Sequence, residues 1–324
     1  MTILPNYVTR PADSVHLQPY ACRNTQLYGF YLRADKDVIQ LRMVDPILNA
    51  PSGGAPEYRT FTDLVLMSFA RAEHCTSTLP PASGMGWTVE YSWTLWVPLV
   101  VVKRELGIEV AQRVVFYPAY ICVDNSWSLA AGREVYGFPK CYGPLTIPAA
   151  SDPKATFSAT TLVIPTFGAD SPAQMLPLIA VTQTAINTGA QEVWQDLKDA
   201  VGAIGHMLSG SGSQVIVPGF SLILDLFHLA ANEEVPGVFL KQFRDAADGN
   251  KACFQAIVEA GSFVEKFRGG GLLDGTFEAT LADFDSHPLA RDMGVGTGPQ
   301  RLEFPFWVNF DFVINPGTNV WEAR

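Results

Sequence analysis

The stretch Gly132-Arg133-Glu134-Val135-Tyr136-Gly137-Phe138-Pro139-Lys140 can deliver one lysine into apolar surroundings. A lysine amine has a pKa of ~10.4 in water, so about one in a few thousand is the free base at pH 7. Attack on a carbonyl needs that free base, and burial supplies it because a low dielectric penalises the ammonium. Phe138 and Pro139 lead directly into Lys140, and a strongly apolar strand pattern precedes the segment. Most lysines are solvated surface charges, so the Pro-Lys step means something only in its context. Residues 125–136 read as a short helix capped by Asp124 or Asn125 and closed near Gly137. The residue before a proline is pushed to extended geometry, so Phe138 cannot continue that helix. A helix stop and an aromatic-Pro turn together fix where Lys140 emerges. Sequence physics alone makes this a turn with no chemistry attached.

A neutral buried amine condenses with a ketone or aldehyde to an iminium ion, an electron sink beside the reacting bond. Decarboxylation, retro-aldol cleavage, aldol condensation and dehydration all run through that intermediate. The lysine therefore names the intermediate more securely than the reaction.

The wording of the whole segment carries more. Asp124-Asn125-Ser126-Trp127-Ser128-Leu129-Ala130-Ala131-Gly132-Arg133-Glu134, continuing to Phe138-Pro139-Lys140, resembles the active-site signature of the acetoacetate decarboxylase-like superfamily. That signature runs from an Asp-Asn pair through a small apolar run, Gly-Arg-Glu and an aromatic-Pro step to the Schiff-base lysine. Gly86-Trp87-Thr88-Val89-Glu90 resembles the segment that ends in the active-site glutamate. Val238 to Phe243, then Asp245 to Gly249 and Cys253 to Val258, is similar to a later strand-turn-strand unit, and His287-Pro288-Leu289 is a weaker anchor. Residues 165–235 have no clear counterpart.

The resemblance implies a β-rich α+β fold with an antiparallel β-barrel core and a few peripheral helices. It implies Lys140 as the Schiff-base lysine, Glu90 as the group that gives and takes protons, and a homo-oligomer. No cofactor is implied, since the iminium is itself the sink. Aromatic neighbours Trp87, Tyr91 and Trp93 would raise the Glu90 carboxyl pKa if it is buried.

The chain departs from the pattern twice. Family decarboxylases commonly carry a second lysine after the first, and this sequence has Cys141. In the family the resemblance points to, the lysine is activated by burial or by a neighbouring cation. With a thiol at that position, activation rests mainly on desolvation. Family decarboxylases also carry an early-strand arginine, whose equivalent by ungapped spacing from Arg33 is Thr25. Arg23 lies two residues away, and a shift of two keeps a side chain on one strand face, so Arg23 is the candidate replacement across ~7 Å. Without an arginine fork a small β-keto acid loses its obvious anchor. Tyr120, Cys122 and Phe138 are expected pocket walls together with Cys141, and Arg133 with Glu134 is expected to form a structural pair.

Composition narrows the class. With 324 residues, 48% hydrophobic and 17% charged, the chain can bury a large core in one domain. A formal net charge of −10 without a basic stripe argues against a nucleic-acid partner. Five scattered cysteines with no Cys-x-x-Cys spacing indicate neither a disulfide framework nor a zinc site. Met1 to Ser14 lacks the layout of a signal peptide, and the apolar run Trp93 to Val102 is too short to span a bilayer. A soluble protein of the reducing cytoplasm is expected.

Among the elements, residues 26–33, 63–70 and 112–123 read as strands, with Pro118 marking an edge, bulge or bend. The last strand alternates Phe304, Phe306, Val308, Phe310, Phe312 and Ile314 with Asn309, Asp311 and Asn315, which predicts an apolar face and a wetter one. A helix is predicted over 191–208, with Val193, Leu197, Val201, Ile204 and Leu208 on one face and Thr188 with Gln191 as capping box. Gly210 to Ser213 and Gly269 to Gly271 read as loops. One domain over 1–324 is expected, with 165–235 as an insertion. The expected activity is that of a lyase joining Lys140 to a keto or aldehyde substrate, most simply in decarboxylating a β-keto acid. An aldolase, dehydratase or cyclase on a larger carbonyl is the alternative, and a non-catalytic small-molecule binder is the rival from another class.

Overall fold

β-Branched and aromatic residues in long alternating runs make strands, and here the strands are long enough to close on one another. The computed structural model describes residues 5–10, 16–51, 53–148, 156–186, 192–210 and 234–323. Strands β1 (Tyr20–Arg33), β3 (Leu64–Ser77), β4 (Thr88–Glu105) and β5 (Ile108–Val123) are antiparallel neighbours in that order. On its other edge β1 pairs with β14 (Gln300–Ile314), β14 with β12 (Ala252–Leu272), and β12 with β11 (Glu234–Arg244). A parallel contact of β11 with β5, Gly237 to Phe116, completes a ring of seven strands. A second run, β13 (Thr276–Leu281), β9 (Gln174–Ala185), β8 (Thr156–Val163) and β7 (Leu145–Thr146), leaves the ring from β14. Four short strands are added: β2 (Glu57–Thr60) on β4, β6 (Lys140–Tyr142) parallel to β5, and β10 (Val193–Trp194) and β15 (Thr318–Glu322) on β12.

The main core lies where one face of the ring meets the second run. Phe157 of β8 sits with its ring 5.1, 5.2 and 5.3 Å from those of Tyr28, Phe30 and Phe69. A smaller cluster of Ile121, Val123, Tyr136, Phe138, Phe239 and Val258 uses alternate residues of the same strands. Cys122, Val238 and Ile257 belong to the main core while Ile121, Phe239 and Val258 belong to the smaller one. That is the period of two of a strand with both faces covered.

The expected strands are present and longer than predicted, and Pro118 marks a bulge: Leu95 faces Tyr120 but Trp96 faces Pro118, leaving Ala119 over. The last strand corrects its alternation. Leu302 and Phe306 are buried near its start, but Asp311 and Val313 are buried near its end, so the phase slips by one residue. Asp311 is not wet: it accepts from Arg268 Nε at 3.1 Å and from the Asn24 N–H at 2.8 Å. Asn24 lies at a bulge of β1 with φ of 50°, and its freed N–H needs an acceptor.

The predicted helix over 191–208 is also corrected, for it spans Leu197–Gly210 and Val193–Trp194 pairs instead with Gly271 and Gly270. Those glycines are therefore strand rather than loop. A Cβ on Gly271 would lie 2.4 Å from the Glu192 carbonyl oxygen, so only glycine admits the approach. Trp194 is buried there against Phe304 and Phe306, and Ala200, Val201 and Ile204 of the helix join that cluster. Thr188 and Gln191 lie outside the described residues. No helix among the described residues is long and apolar enough to cross a membrane.

Candidate active site

Lys140 opens β6 in parallel register with Ile121, so both side chains leave the same face of the sheet. The preceding helix covers that face. Asn125 caps it, its side-chain oxygen accepting from the Trp127 and Ser128 N–H groups at 2.9 and 3.2 Å. The helix Ser126–Ala131 runs on through a wider π-helical turn, Gly132–Tyr136, and stops at Gly137 with φ of 89°. Ser128 and Gly132, four residues apart, share the face that meets the lysine. A Cβ on Gly132 would lie 2.6 Å from Lys140 Cδ and 2.7 Å from Cε, so the lysine stem rests in the gap that glycine leaves.

The amine end is enclosed. Lys140 Nζ donates to the Ser128 hydroxyl at 2.6 Å and to the Ser128 carbonyl at 3.1 Å. It lies 3.8 Å from Glu90 Oε1, the two side chains being only 12% and 13% exposed. The Phe138 ring centroid is 5.4 Å away. Glu90 arrives on β4, paired with Ala72 of β3, and its second oxygen accepts from the Tyr20 hydroxyl at 3.4 Å. Burial and then the Glu90 charge push the Tyr20 phenol well above its ordinary range, so Tyr20 acts as a donor. Asp124 titrates above its ordinary value through burial, with the Glu90 charge adding to it, while its carboxylate accepts from the Tyr91 N–H at 2.9 Å. His16 closes the outer side, its ring 5.3 Å from those of both Tyr20 and Trp127 and its Nε2 3.2 Å from Thr88 Oγ1. Burial lowers the His16 pKa, against the pull of Glu90.

Of the residues proposed from sequence, Lys140, Glu90 and Phe138 come together here. Tyr120, Cys122 and Cys141 do not: they flank Ile121 and Lys140 along the chain and so leave the opposite face, against the main core. Tyr120 donates to Asp292 Oδ2 at 2.7 Å, and burial followed by that carboxylate pushes its phenol up. Cys141 lies near Cys122, His287 and Thr161, and these neighbours, Cys122 foremost, hold its thiol below the ordinary range against the cost of burial. Cys122 moves the other way, through its bond to Cys141 and its burial.

Arg23 is a correction. Cys22 and Thr25 are both buried while Arg23 between them is exposed, because the bulge at Asn24 breaks the alternation that would have put Arg23 and Thr25 on one face. Arg23 pairs instead with Glu265 at 3.2 Å. Arg133 and Glu134 do not pair among the described residues either. Arg133 donates to the Lys140 carbonyl at 3.2 Å, and Glu134 is the charge felt by Lys241.

No family model matches the chain, and no curated protein does. Solved structures do. Acetoacetate decarboxylase from Legionella pneumophila superposes with a TM-score of 0.60 at 13% identity over 99% of this chain and 93% of that one. An acetoacetate decarboxylase-like enzyme from Sphingomonas wittichii RW1 gives 0.57 at 15% identity, over 98% and 99%. The chain has the acetoacetate decarboxylase-like fold. The enduracididine biosynthesis enzyme MppR, solved with pyruvate, shares it at a TM-score of 0.51 and 13% identity over 93% and 89%.

Within this fold, sequence reasoning passed over Ser128, Gly132, Tyr20 and His16. Ser128 and Gly132 carried a legible signal, since small residues four apart on a short helix mark a face that something approaches closely. Tyr20 and His16 carried none, because Tyr20 reaches Glu90 across 70 residues of chain through the pairing of β1, β3 and β4.

Proposed function

We propose that this protein is an enzyme that joins the Lys140 amine to a keto or aldehyde carbon as an iminium ion. The observation that supports it is the enclosed pair of Lys140 Nζ and Glu90 Oε1 at 3.8 Å. A proton passing from the ammonium to the carboxylate turns a buried ion pair into a neutral amine and a neutral acid. Enclosure favours that exchange, because low dielectric penalises both charged forms together. The amine then attacks the carbonyl carbon, and the carbonyl π pair moves to oxygen, which takes the proton from Glu90. Loss of that oxygen as water, assisted by a second proton, leaves the iminium. From a β-keto acid the bond to the carboxylate breaks next, its electrons entering the nitrogen and carbon dioxide departing. Protonation of the enamine carbon and hydrolysis then free Lys140.

A second reading, condensation or dehydration of a larger carbonyl compound through the same iminium, is favoured by Arg23, which points away from the amine and pairs with Glu265. Arg23, so paired, supplies no fork to a free carboxylate beside the amine. MppR offers a parallel, having been solved with the condensation product of pyruvate and imidazole 4-carboxaldehyde. Turnover of acetoacetate, followed as carbon dioxide, should be compared with consumption of an aromatic aldehyde in the presence of pyruvate, for the native chain and Lys140→Ala. Activity in the native chain that vanishes in the variant is expected, with the aldehyde reaction the faster. Equal activity in both, or none with any carbonyl tried, would leave a binding protein built on an enzyme fold.

A further inference from the structure

Ser128 supplies two of the contacts to the reacting nitrogen, and it is 2% exposed. Its N–H is committed to the Asn125 cap at 3.2 Å, while its carbonyl and hydroxyl both face Lys140. An ammonium has three N–H bonds in tetrahedral array. Ser128 occupies two of them, at 3.1 and 2.6 Å, and the carboxylate of Glu90 at 3.8 Å is the acceptor left for the third.

We infer that Ser128 is the positioning residue that aims the Lys140 lone pair. By holding two N–H bonds it makes the proton facing Glu90 the one that leaves. That inference rests on the iminium reading. The third N–H bond breaks, its electron pair stays on nitrogen, and the proton goes to Glu90. The lone pair therefore opens toward Glu90, and the carbonyl carbon is attacked on the side where the acid that protonates its oxygen already stands. After attack the nitrogen carries two N–H bonds. One proton returns to the Glu90 carboxylate, and the other stays on Ser128 through water loss to the iminium. The seat is stiff, because Asn125 caps the helix and Gly132, one turn on, leaves room for the lysine stem.

Borohydride trapping with pyruvate or an aromatic aldehyde, timed over a range of pH, tests this in the full chain. Ser128→Ala removes the hydroxyl but keeps the helix. It should form the trapped adduct about 10- to 100-fold more slowly at saturating carbonyl, with little change in the carbonyl concentration that half-saturates. The hydroxyl also stabilises the ammonium, so the rising limb of the rate–pH profile should move to lower pH in Ser128→Ala. A role confined to packing would leave that limb in place. Ser128→Thr keeps the hydroxyl and should recover most of the rate, and it decides the matter alone should Ser128→Ala fail to fold. A native plateau and a native limb in Ser128→Ala, or a Ser128→Thr variant as slow as a fully disabled one, would overturn the assignment. Failure of the iminium reading looks different: the native chain would then trap no carbonyl at all.

Discussion

Lys140 and Cys141 are consecutive on one three-residue strand, yet they belong to different parts of the molecule. Lys140 leaves the face covered by the Ser126–Ala131 helix and meets Ser128, Glu90 and Phe138. Cys141 leaves the other face and meets Cys122, Thr161 and His287, beside the Tyr120–Asp292–Arg42 network. On the first side Ser128 from the helix and Glu90 from β4 converge on one amine. On the second the polar groups satisfy one another and pack on the main core, as buried polar groups must. Neighbours in sequence on a strand are thus the residues least able to share a site. The thiol after the lysine says little about how the lysine is activated.

If the two faces are separate, changes on the Lys140 side should alter chemistry with the fold intact, and changes on the Cys141 side should do the reverse. Glu90→Gln is the strongest case on the first side. It keeps the shape and loses the titrating group, so turnover should fall on the order of 100-fold or more. Near-native turnover with an unchanged pH profile would make Glu90 a bystander. Gly132→Ala should come next. The new methyl would meet Lys140 Cδ at 2.6 Å, and the flexible lysine end, not the backbone, has to move. Trapping should slow on the order of 10-fold, while thermal stability holds or rises, since alanine in a helix is worth about 0.5–1 kcal/mol over glycine. Native trapping in that variant would show that the stem is not seated there.

On the second side, Cys141→Lys puts an ammonium against the main core. It should cost several kcal/mol in denaturant unfolding and leave the pH dependence of adduct formation where it is. A downward shift of that dependence would place both side chains on one face after all. The smallest effect concerns Cys141 itself. Its thiol is held below the ordinary range in the folded chain, with Cys122 the leading cause, against ~8.5 in an unfolded one. A depressed folded pKa contributes stability above the unfolded value and loses it as pH falls through the folded one. The stability gap between the native chain and Cys141→Ser should therefore narrow as pH falls below ~8.5. A gap constant over that range would mean an ordinary thiol.

Much of the Lys140 side was legible in the sequence. The capped helix, its stop at Gly137 and the aromatic-Pro turn depend on residue types within short spans, whereas Glu90, far upstream in the chain, was reached only through the family resemblance. What depended on register was not legible. That Tyr120 and Cys122 lie across the sheet from Lys140 follows from the pairing of Ile121 with Lys140, which no spacing along the chain reveals. Arg23 failed through a one-residue bulge at Asn24, and Asp311, expected to face water, is the acceptor that the bulge demands. The predicted helix began too early because Val193 fits a helical stripe as well as a strand, and only the glycines of β12 make the strand possible.

The most direct test is to locate the amine that forms the adduct. The native chain is incubated with pyruvate or an aromatic aldehyde and reduced with borohydride; its peptides are then mapped by mass. Lys241 is the competitor to watch, a half-buried amine whose pKa is lowered by burial and which donates to the Val135 carbonyl at 3.1 Å. The enclosed Lys140–Glu90 pair predicts one adduct per chain, on the peptide carrying Lys140. An adduct on Lys241, or on any lysine other than Lys140, would contradict it.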